Sequence, residues 1–157
     1  MTTLPVRFGE LKDAPAITSL INRAFVAEQP YISGERINAQ GVRELLSKGM
    51  FLLSEDDGVL VACLFIEKRG ERAHLGLVSV DPQRQAMGMG SHLMAAAESH
   101  CRSAGFQEME LRFIHARAEL QRFYESLGYA ATGITEFPDP SRMKVPFHFV
   151  QMVKPLD

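Results

Sequence analysis

The stretch "VDPQRQAMGMGSHLM", from Val80 to Met94, ends an apolar run, sets Gly88 and Gly90 one residue apart and goes straight into a helical pattern. A glycine in a helix weakens it by up to ~1 kcal/mol relative to alanine, so something about this turn favours bare backbone. The first N–H groups of a helix have no intrahelical partner and stand at the positive end of its dipole. With glycine at 88 and 90, a phosphate or pyrophosphate can touch those groups directly. The chemistry implied is capture of a phosphorylated ligand, and a plain turn using glycine for its geometry explains the same residues. Two other phosphate loops do not fit. The dinucleotide fingerprint needs a third glycine where Leu93 stands, and the P-loop needs Gly-Lys-Ser/Thr, which is absent.

The elements that must position this turn are readable from periodicity. Val6–Phe8 is a short strand candidate. A first helix is expected over "DAPAITSLINRAFVAE", with Asp13 as N-cap, Pro15 in the first turn and Ile17, Leu20, Ile21 and Ala24 on one face. Asn38–Lys48 reads as a second helix stopped by Gly49. "MFLLSE", "VLVACLFIEK" and "RAHLGLVSV" read as three strands joined by tight glycine turns, hence an antiparallel meander. The helix after the glycines runs to about Ala104, "EMELRFI" is a strand, and "AELQRFYESLG" is a helix closed by Gly128. "YAATGI" and "FHFVQMVK" are the last strands, separated by "TEFPDPSRMKVP". The order βααβββαβαββ predicts an α/β (α+β) fold: a twisted, mostly antiparallel sheet of six to seven strands flanked by about four helices.

At 157 residues the chain is expected to form one domain, 1–157, with a core that needs no staples. It is 46% hydrophobic and 23% charged with net charge −2, and no basic stripe points to nucleic acid. Cys63 and Cys101 have no Cys or His at metal-ligand spacing, so no metal is expected; they read as reduced, partly buried thiols. No leader-like N-terminus and no membrane-length apolar run is present, so a cytoplasmic protein without membrane contact is expected.

"VSVDPQRQAMGMGSHLM" resembles the coenzyme A loop of the GNAT superfamily of N-acetyltransferases, whose pattern is Gln/Arg-x-x-Gly-x-Gly/Ala. "LQRFYESLGY" resembles that family's second signature, a helix carrying Tyr followed by Leu-Gly-Tyr/Phe and a strand. The element order matches as well, and the resemblance spans about Val6 to Leu156. It implies acetyl-CoA as cosubstrate. The backbone of Gln85, Ala86, Met87, Gly88, Met89, Gly90 and Ser91 would bind its pyrophosphate. The strand near Val78 and Val80 would splay from its neighbour and pair with the pantetheine arm, while packing in the core explains the same valines. Arg84 would add charge beside the phosphates or simply be solvated.

Tyr124 matches the family tyrosine that protonates the departing thiolate; it also belongs to an apolar stripe with Leu120, Phe123 and Leu127, which packing alone would explain. His74 occupies the strand position where histone-type members carry a catalytic glutamate, and its ordinary pKa near ~6.5 suits a general base. Glu67 and a water chain are alternatives. His115 falls near a family asparagine that contacts CoA, and the departure leaves cofactor contact, substrate contact or plain surface open. Acceptor contacts are expected from "EQPYISGER" (Glu28, Tyr31, Glu35, Arg36) and "TEFPDPSRMKVPFHF" (Glu136, Asp139, Arg142, Lys144, His148). Mixed charge there suits a small polar or zwitterionic amine better than a highly basic peptide. The function implied is transfer of acetyl to a primary amine of a small molecule or peptide by direct ternary-complex transfer. A non-catalytic CoA or acyl-CoA sensor on the same fold is the alternative. Dimers are common in the family, so a homodimer is among the partners implied.

Overall fold

Asp57 and Gly58 both adopt positive φ (53° and 79°), as a two-residue type I′ hairpin requires, and join β2 (Met50–Asp56) to β3 (Val59–Arg69). A second short turn brings β4 (Arg72–Val80) antiparallel to β3, which completes the expected meander. The computed structural model describes residues 4–85 and 87–157. The remaining strands are β1 (Val6–Phe8), β5 (Glu108–Ile114), β6 (Ala130–Thr135) and β7 (Phe149–Pro155). Four helices connect them: α1 (Ala14–Ala24), α2 (Ala39–Lys48), α3 (Met89–Ser103) and α4 (Ala118–Ser126). All seven strands lie in one open sheet, ordered β1-β2-β3-β4-β5-β7-β6. The β4–β5 pair is parallel and the others are antiparallel.

Period-2 alternation sends neighbouring side chains to opposite faces. Phe51, Leu53, Cys63 and Phe65 meet Ile17, Leu20 and Ile21 of α1 and Val42 of α2 on one face. Leu52, Leu64, Leu75, Leu111 and Met152 meet Leu93, Met94, Ala97 and Cys101 of α3 and Tyr124 of α4 on the other. Each large apolar side chain fully buried this way is worth ~1.5–3 kcal/mol. No described helix is long and apolar enough to cross a membrane.

Helices α1 and α2 reach only part of the sheet. Beyond them, the same face over β5 and β7 is roofed by two loops, residues 29–38 and 136–148, which are stitched together. Ser33 N–H donates to Arg142 O (2.9 Å), Lys144 N–H donates to Tyr31 O (2.8 Å), and Ile32 bridges Met143. Ile32, Ile114 and Phe147 form a small core beneath them.

Asp13 and Gly49 bound their helices as expected, each by a local device of its own. Asp13 is the N-cap residue of α1, yet its carboxylate takes no amide of that helix: Arg7 holds both oxygens at 2.8 and 2.9 Å, and Oδ2 also accepts from the Glu10 N–H (2.7 Å) in the turn before. Gly49 ends α2 in extended backbone (φ −159°). Its glycine is needed for close approach, since a Cβ there would stand 2.3 Å from Ile66 O.

Candidate active site

Only three residue pairs join β4 to β5: Arg72 with Glu108, Ala73 with Met109, and His74 with Glu110. Beyond that rung the strands part, and the β5-facing backbone groups of residues 75–80 have no ladder partner there. A bulge sets the parting. Phe65 opposes Gly76 and Cys63 opposes Ser79, so Leu77 and Val78 together face Leu64. Leu77 carries the strain of the bulge at φ +54°, a conformation costing a leucine ~1–2 kcal/mol. Such strain concentrates at functional positions.

The parting opens into a cleft of about 1080 Å³. At one end stands the first turn of α3. Gly88 is its N-cap at φ +80°, where any other residue would be strained. Met89, Gly90 and Ser91 present backbone N–H groups that have no partner among the described residues. A Cβ on Gly90 would sit 3.4 Å from Phe123 and 3.7 Å from Val80, filling the space between helix and strand. This donor set fits a pyrophosphate. Val78, Val80, Gln85, Gly88, Met89, Gly90 and Ser91 all line the cleft. Met87 is exposed and outside the lining, and Ala86 lies outside the described residues. Arg84 also reaches the cleft, where Asp56 holds its guanidinium.

Tyr124 projects from α4 into the middle of the cleft, buried beside Phe113, Phe123 and Tyr129 with ring centroids 5.2–6.0 Å apart. Its hydroxyl has no hydrogen-bond partner among the described residues and is not sealed in the core: the ring is buried while the oxygen keeps access to the cleft. Burial pushes its pKa up from the ordinary phenol value; nearby Arg117 opposes this and Glu28 adds to it. Arg117 and Glu28 form a half-buried ion pair (3.1 Å) in the cleft wall. Burial also raises Glu28, against the pull of Arg117.

His74 lies on the opposite face from α3 and α4, 6% exposed. Its Nδ1 is 3.2 Å from Glu110 Oε2. With the proton on Nδ1 donated to that carboxylate, Nε2 is left with a free lone pair. The Nε2 side is open because Gly76, two residues on, has no side chain; a Cβ there would stand 4.0 Å away. Burial lowers the His74 pKa, Arg69 lowers it further, and Glu110 opposes both. Glu67 pairs with His74 across β3–β4, but Arg69 engages its carboxylate at 2.9 Å.

His115 is exposed, outside the cleft lining, and stacked on His148 at 4.0 Å between ring centroids. His148 N–H points at its Nδ1 (3.2 Å). Of the expected acceptor residues, Glu28, Arg36, Asp139 and Arg142 line the cleft. Glu35 and Lys144 line a smaller neighbouring pocket of about 430 Å³. Sequence reasoning missed Glu110, Arg112 and Arg117. The first two alternate with Met109 and Leu111 in "EMELRFI", which already placed them off the core face; Arg117 gave no signal. Both cysteines are fully buried, and burial raises Cys63 to about 12 and Cys101 to about 11, so neither offers a thiolate at neutral pH. No cluster of three or more metal-ligating side chains occurs among the described residues.

A model of the Acetyltransferase (GNAT) family matches residues 14–129. The chain belongs to the GNAT acetyltransferase family. Solved GNAT-fold structures superpose over nearly its whole length. One is Ard1 from Thermoplasma volcanium, with 20% identity, TM-score 0.82 and 98% of each chain covered. Another is the ribosomal-protein-alanine N-acetyltransferase from Brucella melitensis, with 16% identity, TM-score 0.81, and 97% of this chain and 99% of that one covered. A third is yncA from Salmonella typhimurium, solved with its cofactor acetyl-CoA, with 22% identity, TM-score 0.76, and 99% and 95% covered. A search of curated proteins by sequence finds no match. At these identities the neighbours speak for the fold. The GNAT fold is the one expected, strand for strand and helix for helix. Family and fold together support acyltransferase chemistry in general.

Proposed function

We propose that this GNAT chain is an acetyl-CoA-dependent N-acetyltransferase acting on a primary amine by direct transfer within a ternary complex. The observation that supports this most is the parting of β4 from β5 immediately after His74 and Glu110. The gap runs from the bare first turn of α3 to the unpartnered Tyr124 hydroxyl.

Acetyl-CoA would supply an activated acetyl thioester: the amine nitrogen bonds to the acetyl carbon as the C–S bond breaks, and sulfur leaves with the electron pair. The Met89, Gly90 and Ser91 amides would hold the pyrophosphate at the helix N-terminus. The unpaired edge of β4 around Val78 and Val80 would bond the pantetheine amides, completing a ladder that the protein leaves open. His74 Nε2 would take a proton from the ammonium, which with a lysine-like pKa near ~10.4 is otherwise protonated at neutral pH. Tyr124 would give its hydroxyl proton to the sulfur. Burial weakens Tyr124 as an acid, but the same desolvation penalises a thiolate formed beside it.

Thiol release from acetyl-CoA, measured against a panel of amino acids, polyamines, aminoglycosides and lysine peptides, tests the reading, with Tyr124→Phe alongside. Release that depends on an amine and falls in the variant supports it. CoA binding without release for any amine would point instead to an acyl-CoA sensor.

A further inference from the structure

We propose that the acceptor is a small amine bearing its own carboxylate, and that Arg36 and Arg112 recognise that carboxylate; this deepens the transferase reading and rests on it. Six arginines line the cleft. Four are engaged. Arg84 is held by Asp56, Arg69 by Glu67 (2.9 Å), and Arg117 by Glu28 (3.1 Å). Arg142 donates to the carbonyls of Ser33 (3.0 Å) and Glu35 (2.6 Å). The guanidiniums of Arg36 and Arg112 have no hydrogen-bond partner among the described residues. Each rests on an aromatic face instead, Arg36 on Phe25 (5.4 Å) and Arg112 on Phe149 (5.1 Å). A cation–π contact occupies no N–H group, so both guanidiniums keep their donors available for a planar anion.

Their placement selects the acceptor side of the site. Arg112 is two residues beyond Glu110 on β5, on the same face as Glu110 and away from the α3 and α4 core. Same-face neighbours on a strand are ~7 Å apart. An amine at His74 Nε2 and a carboxylate at Arg112 are therefore separated by one or a few carbons. Arg36 lines the same cleft from the roof, on a segment pinned by Asn22: Oδ1 accepts from the Arg36 N–H (2.9 Å) and Nδ2 donates to Ile37 O (2.8 Å). The backbone that carries Arg36 is thus fixed, which limits the ordering that binding must add. Of the four acids that line the cleft, Glu28, Glu67 and Glu119 are engaged by arginines and Asp139 accepts from Ser141, so six arginines stand against four carboxylates. The stitched roof of residues 29–38 and 136–148 narrows the opening, which favours a small molecule over a peptide chain.

The test uses CoA-loaded protein and needs no turnover. N-acetyl amino acids, as product mimics spanning several side chains, are titrated against their carboxamides by calorimetry. The carboxamides are expected to bind about 10–100-fold more weakly. Arg36→Gln and Arg112→Gln are expected to abolish that preference without changing CoA affinity, and Arg112→Lys to restore part of it. Equal binding of carboxylate and carboxamide overturns the proposal, as does failure of every carboxylate to bind. So does a preference that survives both Gln variants. Failure of the transferase reading looks different: the binding preference persists, but no amine releases thiol from acetyl-CoA.

Discussion

His74 and Glu110 form the last rung between β4 and β5, and their side chains meet at 3.2 Å on the face where the strands then part. The pairing orients the imidazole with Nε2 toward the opening and Gly76 clears its path. With burial holding its pKa below the ordinary ~6.5, His74 is neutral across the physiological range. The acid limb of kcat/KM is therefore expected below pH 6.5. His74→Gln is expected to remove that limb and lower kcat by about 10²-fold or more. A limb that persists unchanged would assign the base elsewhere.

The same residue sets a stability trend. Below ~6.5 the unfolded chain protonates this histidine while the folded one resists, so its contribution is complete above that pH. It declines as pH falls through the lower folded value. Chemical denaturation at pH 7.5 and 5.5 is expected to show a smaller difference for His74→Gln than for the parent.

Covering the imidazole should act without removing it. Gly76 has ordinary backbone and open space on its Cβ side. Gly76→Val is expected to keep the fold, by thermal unfolding, while reducing kcat by more than tenfold through blocked access to Nε2. An unchanged kcat would show that protons leave by another route.

At the cofactor end, Gly88→Glu would place a carboxylate where the pyrophosphate is proposed to sit. The left-handed backbone adds ~1–2 kcal/mol of strain. Calorimetry is expected to show at least 100-fold weaker acetyl-CoA binding with the protein still folded. Retained affinity would move the phosphates away from α3.

A separate network ties α3 to the distal strands. Glu98 is buried and accepts from Tyr129 Oη (3.1 Å) and Lys154 Nζ (2.7 Å). Glu98→Ala orphans both donors, and a loss of about 2–3 kcal/mol is expected in urea denaturation. A loss under 1 kcal/mol would mean that Lys154 reaches water instead.

Much of this architecture was legible in the chain. Period-2 runs and two tight glycine turns marked the meander, and the glycines at 88 and 90 marked the helix start. The strand order was not: nothing local in "FHFVQMVK" says that it inserts between β5 and β6, because that choice is made by packing on both neighbours at once. The bulge was nearly hidden, since Leu77 is an improbable residue at positive φ. Gly76 inside a strand was its one trace. Asp13 stands at the N-cap as read, but the partner of its carboxylate was not legible, because Arg7 arrives from a different element. Arg36 and Arg112 became interpretable only once every other arginine in the cleft had a visible partner.

The parting of β4 and β5 also has a mechanical meaning. Four strands on one side and three on the other are welded by three rungs of a parallel ladder, so the sheet behaves as two plates sharing a short seam. A ligand threaded into the gap acts as a rivet. It should stiffen the smaller plate, β5 to β7, as a unit, and slow amide exchange there even in β6, the outermost strand.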